Sequence, residues 1–189
     1  MLCHIVVHAA GRLTPLAPFE AAAVTWLRLR EEYPLALGAV LMPDHFHLLV
    51  DIADPDGVRR RLGAVLSGLT RSEPYGRRRR RLWDPVPTPD PVRNLRHLRR
   101  DVRYLALNPC REGLARDPLS WVWSTHRDVM GAVADPWVTA DRLAAALRLP
   151  ARGFTPAHHA YVAADPTVHV AGTPAPTPAP ARDVPVVAL

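Results

Sequence analysis

An α+β chain is expected from three features of these 189 residues. Apolar runs of strand length occupy residues 4–8, 35–41 and 45–52, helical periodicities lie between and after them, and a turn folds the second run onto the third. With 48% hydrophobic and 22% charged residues, the composition is that of an ordinary globular protein, enough for one compact domain with a modest appendage. No stretch approaches the ~18 uninterrupted apolar residues of a membrane span. The start, Met-Leu-Cys-His, lacks the basic lead and apolar core of a secretory signal. Cys3 and Cys110 supply neither a disulfide framework nor a zinc-site spacing. A cytoplasmic protein is the expectation.

His-Ile-Val-Val-His at residues 4–8 reads as the first strand. Pro18 to Tyr33 reads as a helix in which Phe19, Ala23, Trp26 and Leu27 recur at helical spacing. Pro34 ends it, because the residue before a proline is pushed out of the helical region. Leu35 to Leu41 is an apolar run, Met42-Pro43-Asp44 has turn chemistry, and His45 to Ile52 returns as the second arm of a hairpin. That arm is apolar enough to lie inside a sheet. Asp54 caps the next helix with Pro55 just inside it, and Val58, Leu62, Val65, Leu66 and Leu69 form its buried stripe.

Residues 72–91 read as a loop: Arg77, Arg78, Arg79, Arg80 and Arg81 in succession, then Leu82-Trp83, then Pro85, Pro87, Pro89 and Pro91. The proline alternation excludes an interior strand, since each proline removes a ladder donor. A third helix is expected from about Val92 to Leu107, stopped by Asn108-Pro109. Trp121 and Trp123 come next, then a helix near Ala140 to Leu147 and another capped by Thr155-Pro156. From Pro166 onward, six prolines in 24 residues predict an extended, dispensable tail. The chain thus divides into a main domain over 1–128, a helical extension over 129–165 and the tail over 166–189.

Charge is distributed unevenly. All 24 basic residues are Arg, which fits a GC-rich coding sequence and is background. Residues 58–103, however, hold 14 Arg against four acids, a net of +10, while the remainder carries 10 Arg against 14 acids, a net of −4. A basic middle on an acidic remainder points to a polyanion, nucleic acid first. A solvated arginine-rich loop would look the same in composition alone.

Two motifs carry chemistry. In His45-Phe46-His47 on a strand, alternation points both imidazoles to one face and Phe46 to the other. Two neutral imidazoles on one rigid surface are half of a divalent-metal site, although such a pair is also compatible with plain hydrogen bonding. On the third helix, Leu95, Leu98, Val102 and Leu105 form one apolar arc. Tyr104 lies well off that arc, with His97, Arg100 and Asn108 on its own face, one or two turns away. That face reads as a polar working surface aimed away from the core, or else as a half-buried tyrosine beside a helix-terminating asparagine.

Together, Met42-Pro-Asp-His-Phe-His-Leu-Leu-Val50, then Tyr104-Leu-Ala-Leu-Asn-Pro-Cys-Arg-Glu-Gly-Leu114, then Trp121-Val-Trp-Ser124 resemble the single-tyrosine HUH transposases, and most closely their REP-associated branch. The resemblance spans roughly residues 1–165. It implies a ferredoxin-like antiparallel sheet with helices packed on one face and a short C-terminal helical extension. It also implies Tyr104 as nucleophile, His45 and His47 as metal ligands, and Asn108 near or on the metal, which would be Mg²⁺ or Mn²⁺. The implied substrate is single-stranded DNA with hairpin ends, cut to leave a 5′-phosphotyrosine and a free 3′-hydroxyl in a nucleoid-associated cytoplasmic reaction. Arg59, Arg60, Arg77 to Arg81, Arg93 and Arg100 would neutralise DNA phosphates, and Trp83 or Tyr75 would stack on an unpaired base, with a place in the core the equal alternative for Trp83. The segment after Trp123 mildly favours a monomer over a homodimer.

The sequence departs from this pattern between the second and third helices. The usual Trp-containing strand and Arg-Phe segment are replaced by Leu82-Trp83 and alternating prolines, which implies either a smaller sheet edge or a lost piece of DNA-binding surface. A catalytically weak or decayed relative that binds structured DNA is therefore the alternative function, and a structural zinc protein a third.

Overall fold

The computed structural model of the protein describes residues 1–71 and 81–165. In chain order the elements are β1 (Leu2–His8), α1 (Phe19–Glu32), β2 (Gly38–Leu41), β3 (His45–Asp51), α2 (Pro55–Arg71), β4 (Asp90–Pro91) and α3 (Leu95–Arg111). A 3₁₀ turn (Pro118–Ser120) leads to α4 (Thr125–Val129), α5 (Ala140–Ala146) and α6 (Phe154–Ala163). The strands form one sheet in the order β2-β3-β1-β4, each neighbouring pair antiparallel. This is the ferredoxin-like β-α-β-β-α-β arrangement, as expected.

Register decides which residues meet. β1 and β3 pair along their whole length, with Val6 opposite His47 and His8 opposite His45. Alternation then puts His4, Val6 and His8 on one face with His45, His47 and Leu49. Cys3, Ile5, Val7, Phe46, Leu48 and Val50 point to the other face and are at most 2% exposed. They share a core with Ala21, Ala22 and Leu29 of α1 and with Val58, Leu62, Leu66 and Leu69 of α2. Packing on one face holds for α1 and α2, whereas α3 crosses the histidine face. Gly38 makes that approach possible: a Cβ there would lie 3.2 Å from Leu105 Cδ2 and 3.3 Å from Leu49 Cδ1.

Both sheet edges are managed. β4 is only two residues long and carries Pro91, consistent with an edge strand and with the smaller-edge alternative. At the β2 edge, Leu41 N donates to Trp123 O at 3.0 Å, Ala39 N to Thr125 Oγ1 at 2.9 Å, and Trp121 Nε1 to Leu41 O at 2.8 Å. Residues 129–165 add Trp137, Val138, Leu143, Ala144, Leu147 and Phe154 to the same core. Trp137 Nε1 donates to Tyr33 O at 2.9 Å, and Arg142 Nη1 to Pro34 O at 2.9 Å.

Several expectations need correction. The α1 core face is Ala21, Ala22, Thr25 and Leu29, not Phe19, Ala23, Trp26 and Leu27, and Phe19 and Leu27 are 64% and 55% exposed. Phe19 and Trp26 instead meet Trp123 and Trp137, with ring centroids 5.0 Å apart for Phe19–Trp123 and for Trp26–Trp137. β2 begins at Gly38, and Leu35 is exposed. Leu95 is also exposed and leaves the α3 arc. α3 does not stop at Asn108; it runs through Pro109 to Arg111. A proline in the last turn forfeits its own donor without unwinding the residues after it, and Glu112 N still reaches Asn108 O at 3.1 Å. Among the described residues, no helix is long and apolar enough to cross a membrane.

Candidate functional site

A line of polar contacts runs from the sheet into α3. His4 Nε2 lies 2.9 Å from His47 Nδ1, and His47 Nε2 lies 2.7 Å from the Asn108 side-chain amide. His47 and Asn108 are only 3% and 2% exposed. Burial, reinforced by the nearby imidazoles of His4, His45 and His8, pushes the His47 pKa down to about 2. Its ring therefore stays neutral and keeps one nitrogen lone pair. Burial lowers His4 as well, against the opposing pull of Asp101 and Asp90.

The neighbouring rings are equally placed by register. His45 Nδ1 lies 2.7 Å from Asp44 Oδ1, and the His45 and His47 centroids are 5.0 Å apart at 77°. His8, directly opposite His45, stacks on it at 5.1 Å. Tyr104 stands over this floor: its centroid is 5.5 Å from His47 and 6.4 Å from His4, both edge-to-face. Tyr104 is 39% exposed, and its ring rests on the buried His47 and the half-buried His4. The Arg111 guanidinium lies 5.0 Å from the same ring.

Four of the expected site residues, His45, His47, Tyr104 and Asn108, thus converge. The expectation that the Tyr104 face points away from the core is wrong for Asn108. α3 lies flat on the sheet, so its apolar arc and its polar face both meet strands, and Asn108 is buried one turn from Tyr104. His97 and Arg100 on that face turn instead to Asp101, with His97 Nε2 3.2 Å from Asp101 Oδ2 and Arg100 Nε 3.7 Å from Oδ1.

The donor set can be tested against a metal. His45 has Nδ1 tied to Asp44, which leaves its Nε2 to face a ligand, whereas His47 has Nδ1 on His4 and Nε2 on the Asn108 amide. Tethered second nitrogens are how metal-binding imidazoles are oriented. The Asn108 amide nitrogen occupies His47 Nε2, so two imidazoles and one amide could hold an ion only with that hydrogen bond released and Oδ1 of Asn108 turned toward it. Among the described residues, no group of three or more His, Cys, Asp or Glu is arranged to hold a metal; the third member here is an amide.

The arginines divide. Arg59, Arg60, Arg81, Arg93 and Arg100 are exposed, while Arg77, Arg78, Arg79 and Arg80, like Tyr75 and the tail from 166, lie outside the described residues. Some of the exposed ones have internal partners: Arg59 Nε donates to Val86 O at 3.2 Å, Arg60 Nη2 to Asp54 Oδ2 at 3.3 Å, and Arg81 Nε to Trp83 O at 2.7 Å. Arg93, Arg96, His97 and Arg100 line an open groove of about 480 Å³ with Asp90 and Asn94 at the start of α3. Trp83 is not a stacking platform. It is 5% exposed and packs edge-on against Phe46 at 5.9 Å.

Two contributors escaped the sequence reading. His4 is two residues before the paired Val6, a relation visible only once β1 and β3 are in register. Arg111 sits seven residues after Tyr104, a two-turn helical spacing that did carry a signal.

No protein-family model matches the chain, and no curated protein does. Among solved structures, a REP-associated tyrosine transposase bound to a REP hairpin is similar, with 21% identity and a TM-score of 0.55. The similarity covers 71% of this chain and 82% of that one, and it shows the fold.

Proposed function

We propose that this chain is a single-tyrosine HUH transposase of the REP-associated kind: a metal-dependent single-stranded DNA endonuclease and strand transferase acting at hairpin-associated sites. One observation carries the reading. A half-exposed phenol on a helix stands 5.5 Å above a buried neutral imidazole whose Nε2 meets an amide from the next turn of that helix. The likeness to a solved transposase whose partner is a DNA hairpin supports the same class of substrate.

In the proposed reaction, Tyr104 Oη attacks the scissile phosphorus in line. The phenol proton passes to solvent at the exposed face of the ring. The phosphorus–O3′ bond breaks, and the departing oxygen takes up a proton as a 3′-hydroxyl. The 5′-phosphate remains on Tyr104, so the phosphodiester energy is conserved and the 3′-hydroxyl of another strand can reverse the step without ATP. His45, His47 and Asn108 would hold Mg²⁺ or Mn²⁺, the nitrogen-rich set suiting Mn²⁺ better. Such an ion neutralises charge that develops on the phosphate. His47 and His4 meanwhile support the ring, and the basic groove beside Arg93 and Arg100 receives the backbone of the strand. The chain acts as a soluble monomer at the nucleoid.

Incubating a labelled hairpin-bearing oligonucleotide with Mn²⁺ tests this. A covalent protein–DNA adduct is expected, and Tyr104→Phe should abolish it while leaving DNA binding in place. Binding that weakens steeply with salt but yields no adduct would favour the decayed DNA-binding relative, to which the two-residue β4 edge lends support. Metal that resists dialysis, with unfolding in chelator, would favour a structural zinc protein.

A further inference from the structure

Arginines on α3 do more than await a polyanion: two of them grip α6 and a third reaches the residue two positions past its end. The Arg99 and Arg103 guanidinium carbons lie 4.1 and 4.4 Å from the Tyr161 ring centroid. Arg103 Nη1 donates to the Tyr161 carbonyl at 3.2 Å, and the Tyr161 hydroxyl donates to the Arg99 carbonyl at 3.4 Å. Just past the end of α6, Asp165 is 5% exposed, and its Oδ2 lies 3.0 Å from Arg103 Nε and 3.1 Å from Arg111 Nη2. A carboxylate drawn this far from water needs partners, and it has two cations.

Arg111 carries that connection to the site. Its Nη1 donates to the Tyr104 carbonyl at 3.4 Å while its guanidinium lies 5.0 Å from the Tyr104 ring centroid. A guanidinium is a planar, pre-organised fork. With one prong on a buried carboxylate and another on the backbone of the residue whose ring it covers, its plane has little freedom. Nor has the ring, which sits between that guanidinium and the His47 edge.

We propose that Arg111, held by Asp165, is a positioning residue for Tyr104, so that α6 and the residues just after it belong to the mounting of the nucleophile. The inference rests on the reading of Tyr104 as nucleophile. In-line attack demands that Oη approach the phosphorus on one line, and a misplacement of about 1 Å can cost roughly 100-fold in rate.

The test uses the full chain, Mn²⁺ and the hairpin-bearing oligonucleotide, with adduct formation followed at saturating and sub-saturating DNA. Arg111→Met and Asp165→Asn should each slow the saturating rate by roughly 10- to 100-fold while moving the half-saturating DNA concentration by less than about twofold. The double variant should lose less than the product of the two single losses, because the Asp165–Arg111 contact is shared while the Asp165–Arg103 ion pair is not. Asp165→Glu should recover most of the rate. Should Arg111→Met fail to fold, Arg111→Lys, which keeps the charge and loses the fork, should show the same slowing. A double variant whose losses multiply, or losses confined to DNA affinity, would overturn the proposal. If the parent chain forms no adduct, the nuclease reading has failed, and the positioning claim is decided on DNA-free protein by the Tyr104 ring resonances in ¹³C-tyrosine NMR. Arg111→Met and Asp165→Asn must then shift them alike and Asp165→Glu return them. Unshifted resonances sink it.

Discussion

His47 has both ring nitrogens engaged, and that double engagement fixes the orientation of the ring. With Asn108 and His4 at its two ends, the ring cannot rotate without leaving a buried polar atom unpaired, which costs about 1–3 kcal/mol. If Nδ1–H donates to His4, the Nε2 lone pair accepts from the Asn108 amide, and an ion at Nε2 would replace that hydrogen bond. The carboxylate of Asp101, which acts electrostatically on His4, favours that polarity by attracting the remaining His4 N–H. His4→Phe should therefore weaken Mn²⁺ binding by roughly 10- to 100-fold in calorimetric titration, with His4→Gln retaining most of the affinity. Equal affinity in His4→Phe would remove His4 from any orienting role. The pair His45/His47 and the spacing of Tyr104 to Asn108 were legible from period-2 and period-3.6 arithmetic. His4 was not, because alternation says which face a residue takes but not which strand lies beside it.

α3 shows how a helix can serve core and site together. Its N-terminus is set by Asn94, whose side-chain oxygen accepts from His97 N at 2.9 Å. Asn94→Ala should cost about 1 kcal/mol and lower the melting temperature by roughly 2–4 °C; no change in calorimetry would mean the cap is redundant with the packing behind it. At the other end, Pro109 ends the run of good helix formers but not the helix, since Asn108 is anchored to His47 and holds the turn. The misread face of α1 has a related origin. Its core-facing residues are Leu29 and three small ones, Ala21, Ala22 and Thr25, which let the helix sit close to the sheet. Its larger apolar residues, Phe19 and Trp26, face Trp123 and Trp137 from far along the chain. Hydrophobic size pointed to the wrong stripe because a second apolar partner existed that no local window contains.

Over the molecule, buried histidines tie stability to pH. Burial, with His158 and His159 nearby, holds His126 down to about 3, and burial, with Arg99 and His159 nearby, holds His158 at about 4. His126 Nδ1 and His158 Nε2 have no hydrogen-bond partner among the described residues. These rings stay neutral in the fold but take up protons near pH ~6.5 in the unfolded chain, so unfolding binds protons and stability falls as pH drops from there toward 4. Each such group contributes up to about 1.4 kcal/mol per pH unit. Asp101 and Asp128, raised by burial, tilt the curve the other way at the acid end. His126→Leu should consequently flatten the dependence of melting temperature on pH between 6.5 and 4. A variant curve parallel to that of the parent would contradict the neutral buried ring.

Amino-acid order alone determined three of the four strands and the helices α1, α2, α3, α5 and α6, though not β4 or α4, together with the hairpin around Met42-Pro43-Asp44, the shared face of His45 and His47, and the basic stretch in the middle of the chain. These arise from backbone periodicity, proline chemistry and charge, all of which act within a few residues. Tertiary structure alone decided that α3 lies on the histidine face, that His4 completes the line to Asn108, that Trp83 is core, and that Asp165 reaches Arg111. Each of those depends on register or on a contact between residues tens of positions apart, where sterics and desolvation across the whole core choose among pairings that are locally equivalent.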